Sequence, residues 1–163
     1  MVSKRKNCET DHRRKILVII DNTQECRRAV SFAAQHAKNT NRTLMLLSVI
    51  DSSEFQHFLG VNEIMRTEAT QNASMILQQI ADEMRTTKTL EVEGIVREGK
   101  KIDEILKLID EDRDIAIIVL AASGSTEGPG PLVQSIANRG GTFSIPVTII
   151  PSGLADEDIE TVA

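Results

Sequence analysis

Two places in this 163-residue chain gather groups suited to holding an anionic ligand. Residues 122–131, ASGSTEGPGP, crowd Ser123, Ser125, Thr126 and the glycines Gly124, Gly128 and Gly130 into one short stretch. Hydroxyls and backbone N–H groups on such a loop can cradle a phosphate, and glycine lets the backbone come close to it. An apolar run (115–122) enters this loop and a short helical segment (131–139) leaves it. The second place is Asp21, at the end of an earlier apolar run (15–21, KILVIID). Its carboxylate can accept hydrogen bonds from a ligand or cap the helix that follows. In an open α/β sheet both places would lie beyond the carboxyl ends of strands, where ligands bind.

Other reactive residues fall short of a site. GIVREGKK (94–101) nearly spells a Walker-type phosphate loop, but Lys101 stands where the Mg²⁺-binding Ser or Thr is needed and Gly94 falls inside a strand pattern. His12, His36 and His57 have no carboxylate or cysteine at ligand spacing, so no structural metal is expected. Ser123 and Ser125 lack the G-x-S-x-G elbow of a hydrolase. With no matched nucleophile and base, the chain is expected not to be an enzyme. Cys8 and Cys26 form neither a CxxC pair nor a metal knuckle and read as two reduced thiols.

The elements that must position the loop and Asp21 alternate regularly. After the first strand, apolar residues at Ala29, Val30, Ala33, Ala34 and Ala37 predict a helix over 23–38, capped by Asn22 or Thr23. A second strand follows (43–50, TLMLLSVI), then a polar loop with Gly60. The stripe Ile64, Met65, Ala69, Met75, Ile76, Ile80 and Met84 predicts a long helix over 62–85 that faces the core. Residues 90–97 (LEVEGIVR) alternate like an edge strand, 101–111 predict a third helix, and 145–150 supply a fifth strand after the helix at 131–139. The pattern βαβαβαβαβ is that of a single doubly wound α/β domain, a five-stranded parallel sheet with helices on both faces. Right-handed crossovers and an edge-like third strand favour the order 3-2-1-4-5. The domain spans 15–151, between a basic N-terminal tail (1–14) and an acidic C-terminal tail (152–163).

Composition narrows the function. With no Trp, no Tyr and four Phe, the core must be aliphatic, and base stacking on aromatic platforms is nearly ruled out. A net charge of −5 gives no general attraction to nucleic acid. No apolar run approaches the roughly 18 residues a membrane span needs, and 1–15 has no apolar stretch of a signal peptide. A cytoplasmic protein without membrane or nucleic-acid partners is expected. The last strand, left on an edge without a charged gatekeeper, predicts a homodimer through Val147–Ile150.

Taken in order, ILVIIDNTQECRRAVSFAAQHA, LMLLSVID, REGKKIDEIL and IAIIVLAASGS…SIPVTIIP resemble the successive elements of the universal stress protein family over residues 15–151. The resemblance implies a Rossmann-like fold, the same homodimer, and an adenine-nucleotide ligand, ATP or AMP. It implies Asp21, Val49, Gly124, Ser135 and Ile136 as the ligand-binding residues. The family's ATP-binding branch carries G-x2-G-x9-G-[S/T] after strand four; here it falls on Ala121, Gly124, Gln134 and Ser135, so two of the three glycines are replaced. The adenosine half is expected to be intact and the phosphate half damaged. Two functions follow, a non-catalytic nucleotide-responsive regulator and a stress-response interaction protein that binds no nucleotide, each with an unidentified protein partner.

Overall fold

In the first strand every second side chain points to the same face, and here both faces are dry. The computed structural model describes residues 13–21, 23–51 and 62–163. Its elements run β1 (Lys15–Ile19), α1 (Glu25–Thr40), β2 (Thr43–Ile50), α2 (Asn62–Lys88), β3 (Val92–Glu98), α3 (Lys101–Glu111), β4 (Ile115–Ala121), α4 (Pro131–Asn138), β5 (Val147–Ile150) and α5 (Asp156–Val162). The strands form one five-stranded parallel sheet in the order β3-β2-β1-β4-β5, as the sequence pattern predicts.

Ile16 and Val18 of β1 join Leu44 and Leu46 of β2 under the apolar face of α1 and α2. Leu17 and Ile19 pack on the opposite side against Ile105 and Ile109 of α3 and Ile136 of α4. Helix α1 approaches its face closely because Ala29, Ala33, Ala34 and Ala37 are all fully buried there. It ends at Asn41, whose left-handed φ of 54° lets its N–H reach back to Ala37 and Lys38 carbonyls. The sheet's amino end is tied by Lys15, whose ammonium meets Asp112 at 2.7 Å and Glu93 at 3.0 Å. Partial burial opposes that charge, but the two carboxylates outweigh it and hold the lysine above its ordinary pKa.

Three sequence expectations change. The α2 stripe is only half right: Met84 is buried and Ile76 and Ile80 pack on the core, whereas Met75 and Ile64 are each 61% exposed and Leu77 and Ala81, outside the stripe, are buried instead. At 3.6 residues per turn, Met75 and Ile64 come round to the side away from Leu77. The cap expected at Asn22 or Thr23 gives way to Gln24, which makes no side-chain cap; Asn22, the loop around Gly60 and nearly all of the basic tail lie outside the described residues. The acidic segment 152–163 contains a folded helix rather than a plain tail. Ile159 of α5 is 3% exposed, Leu154 packs on the same core as α1, and Asn39 donates to the Ala163 carbonyl at 3.2 Å. Ile159 and Val162 among four acids give too short a pattern for a period to be read.

If α5 is part of the fold, Ile159→Ala should lower unfolding stability by about 2 kcal/mol, the low end for a buried Ile truncation. Chemical denaturation measures it, and a change near zero would show that α5 does not hold its place on α1.

Candidate functional site

Asp21 lies just past the end of β1, two residues beyond the last ladder position. Its Oδ1 accepts hydrogen bonds from the Thr23 N–H at 2.9 Å and from the Thr23 hydroxyl. The helix-capping alternative is thus met in part, by a turn that precedes α1. The second carboxylate oxygen has no such bond, and Asp21 faces a crevice of about 380 Å³ at the carboxyl ends of β1 and β2. Val49 and Ser48 of β2, Asn72 and Ile76 of α2, and Lys101 at the start of α3 line the same crevice. It holds Asp21 and Val49 but no residue of the 122–131 loop, so it opens beside β2 rather than between β1 and β4, and it adds Lys101, which the failed Walker pattern had set aside.

A second cavity of about 490 Å³ adjoins it, sharing Asp21 and Ile76, and runs between α1 and α2. Cys26, Arg27, Val30 and Met84 line it. Cys26 is buried, and Cys8 lies outside the described residues. Burial pushes its thiol up from 9.0 to about 11, partly opposed by a backbone hydrogen bond at Asp21.

The glycine loop is arranged differently from a phosphate cradle. The N–H of Ser123 donates to the Pro129 carbonyl at 2.9 Å, and that of Ser125 to Ser123 Oγ at 3.2 Å. The N–H of Glu127 donates to Ser125 Oγ at 3.1 Å, and that of Gly128 to the Ser125 carbonyl at 3.4 Å. Four of the loop's N–H donors, those of Ser123, Ser125, Glu127 and Gly128, are therefore engaged inside the loop. A Cβ on Gly124 would stand 3.7 Å from Glu25 Oε1, so a carboxylate overhangs that glycine. A Cβ on Gly128 would stand 3.1 Å from Gln134 Nε2, so the residue that replaces the family glycine lies folded against the loop.

The five sequence-implied residues divide accordingly. Asp21 and Val49 share the crevice, while Gly124, Ser135 and Ile136 line neither cavity. Ile136 is 4% exposed and belongs to the core beneath the sheet. Apolar at a helical period, it reads equally as a ligand contact or as packing, and packing is where its side chain goes. Glu25 and Lys101 were not legible as site residues, because no motif fixes the direction of a helix's first turn, and Asn72 was hidden as one polar residue along the middle of α2. Among the described residues, no group of three His, Cys, Asp or Glu side chains could hold a metal ion. His36 stacks on Phe32 with ring centroids 5.9 Å apart, and His12 and His57 lie outside the described residues.

The sequence profile of the universal stress protein family matches residues 12–151. The chain belongs to that family. No curated protein sequence matches it significantly. Among solved structures it is similar to the universal stress protein UspA from Lactobacillus plantarum, with a TM-score of 0.72 at 20% identity over 86% of this chain and 99% of that one. It is also similar to a universal stress protein solved in complex with cAMP, with a TM-score of 0.62 at 18% identity over 88% of this chain and 100% of that one. A third, from Archaeoglobus fulgidus in complex with dAMP, gives 0.58 at 18% over 84% and 97%. At these identities the likeness speaks for the fold.

The Cys26 environment has a measurable consequence. In a Cys8→Ser variant at pH 8, a thiol reagent should label native protein about 100-fold more slowly than denatured protein, from the fall in thiolate fraction. Because the folded-state pKa is raised, the thiol's contribution to stability is complete below 9.0 and is lost as pH climbs toward about 11. Rapid native labelling at pH 8 would contradict the burial.

Proposed function

We propose that this universal stress protein is a non-catalytic regulator that responds to an adenine nucleotide, gripping the adenosine part and holding additional phosphates weakly. The observation that carries the reading is that Asp21 and Val49 face one crevice while four of the loop's N–H groups, those of Ser123, Ser125, Glu127 and Gly128, are bonded within the loop. A carboxylate suits ribose hydroxyls or an amino group, and apolar side chains such as Val49 and Ile76 suit the face of a base. The overhanging Glu25 carboxylate would repel a phosphate that approached Gly124. The similar structures with cAMP and dAMP support a ligand with a single phosphate.

Turnover needs a positioned base or water and a cation on the leaving phosphate. The Asp21 crevice offers no nucleophile–base pair, so the ligand acts by occupancy. Release of phosphate at about 1 s⁻¹ or faster, an enzyme-like rate, lost on Asp21→Ala, would overturn this. Calorimetry should give AMP and ATP affinities within about threefold of each other, and Asp21→Ala should weaken both by about tenfold or more, the worth of a charge-assisted hydrogen bond. Tight, Mg²⁺-dependent preference for ATP would refute the weakened phosphate grip.

The second reading is a homodimeric interaction protein that binds no nucleotide, and the inward-bonded loop favours it. Denaturing freshly purified protein and chromatographing the supernatant separates the two, since released adenine nucleotide supports the first. Both readings share a homodimer through β5. Its edge position, the absence of charge from Val147 to Ile150, and Ile149 at 42% exposure support antiparallel pairing of two copies. Val147→Lys and Ile149→Lys should each shift the protein toward monomer in sedimentation or light scattering. A dimer indifferent to both charges would put the interface elsewhere.

A further inference from the structure

We infer that Lys101 anchors the ligand's phosphate, so that the anion sits on the α3 side of the crevice and not at the glycine loop. This rests on the adenosine reading of the same site and names the group that would select its charge. Lys101 is the first residue of α3, half-buried, and lines the crevice with Asp21 and Val49. Among the described residues it is the cation of that crevice, and no carboxylate pairs with its ammonium. Several other cations hold carboxylate partners, as Lys15 does Asp112, Arg66 Glu98 and Arg97 Glu111.

Donor and acceptor types decide the orientation. Asp21 can only accept hydrogen bonds when ionised, which matches the hydroxyl and amino donors of a nucleoside. Asp21 is already half-satisfied by Thr23. The Lys101 ammonium can only donate, and the ligand group that answers it best is an anionic phosphate oxygen. The glycine loop makes the opposite offer, with the N–H groups of Ser123, Ser125, Glu127 and Gly128 engaged and the Glu25 carboxylate over Gly124. A compact point charge at one end of a crevice this size serves one phosphate well. Second and third phosphates would extend away from Lys101 without a further cation in the crevice.

The test measures adenosine, AMP and ATP binding by calorimetry on wild type, Lys101→Gln, Lys101→Arg, Arg27→Gln and Glu25→Gln. In wild type AMP should bind about tenfold tighter than adenosine, as a charge-assisted contact predicts, and ATP little tighter than AMP. Lys101→Gln should erase the AMP advantage while leaving adenosine affinity unchanged, which also reports that the crevice is still folded. Lys101→Arg should keep most of the advantage, and raising salt to 0.5 M should shrink it in wild type alone. Arg27→Gln, in the adjoining cavity, should change nothing. An AMP advantage that survives Lys101→Gln but is lost with Arg27→Gln, or grows with Glu25→Gln, would place the phosphate elsewhere and overturn the assignment. Adenosine binding without any gain from phosphate would defeat the Lys101 role alone. Failure of adenosine and AMP alike to bind would remove the adenosine reading and this inference with it.

Discussion

Ile16 and Val18 on one face of β1, and Leu17 on the other, are fully buried, and this two-sided dryness is the constraint on which the remaining arrangement depends. A strand apolar on both faces must lie inside a sheet with helices above and below. With α1 leading to β2 on one side and α3 returning to β4 on the other, β1 becomes the strand from which the chain winds both ways. The carboxyl end of such a strand opens between its neighbours, and the next residue with a charge is Asp21. Burying one Ile or Leu of β1 is worth about 1.5–3 kcal/mol, more than an exposed ion pair such as Arg13 with Glu91, at about 0–1 kcal/mol. The core therefore decides where Asp21 stands, and surface charge only trims it.

The same reasoning explains how much of the fold was legible. KILVI, TLMLLSVI and IAIIVLA are continuous apolar runs, and their period leaves no choice about burial. β3 declares itself an edge through Glu93, Arg97 and Glu98, charges that a central strand could not carry. Helix α5 was hidden because DEDIETV has one side chain to bury and a run of acids that reads as solvated. The outer course of α2 misled in the other direction. Met75 and Ile64 look like core by type, yet β2 and β3 cover only the side of the helix that carries Leu77, Ala81 and Met84.

Legibility fell sharply at the candidate site. Asp21 and Val49 could be located because strand ends are fixed by the ladder, with Ile20 N–H bonding the Leu47 carbonyl at 2.7 Å and Gly99 N–H the Ile50 carbonyl at 2.9 Å. Ser135 and Ile136 depended on how α4 rotates about its axis, and that is set by Ile136 and Val133 turning into the core. The replaced glycines at Ala121 and Gln134 were visible in the sequence. The direction Gln134 takes, and the carboxylate that Glu25 brings over Gly124, are products of tertiary placement.

The crevice and the glycine loop rest on different kinds of support. Strand ends are held by the core, so the side that carries Asp21 and Val49 cannot drift without unpacking β1 and β2. The β4–α4 loop is held by hydrogen bonds among its own residues, Ser123 to Pro129 and Ser125 to Glu127, each worth about 0.5–1.5 kcal/mol net. Turning those N–H groups inward satisfies them without a ligand, so this loop conformation costs the fold almost nothing. A family built on this sheet can thus keep the surface that suits a nucleoside while its phosphate contacts are rearranged by a few substitutions in the loop and the helix starts. Lys101 sits on the conservative side of that division, at the first turn of a helix whose Ile105 and Leu108 are locked beneath the sheet. A charge placed there is positioned by the core, and any contact it makes with a ligand inherits the core's rigidity.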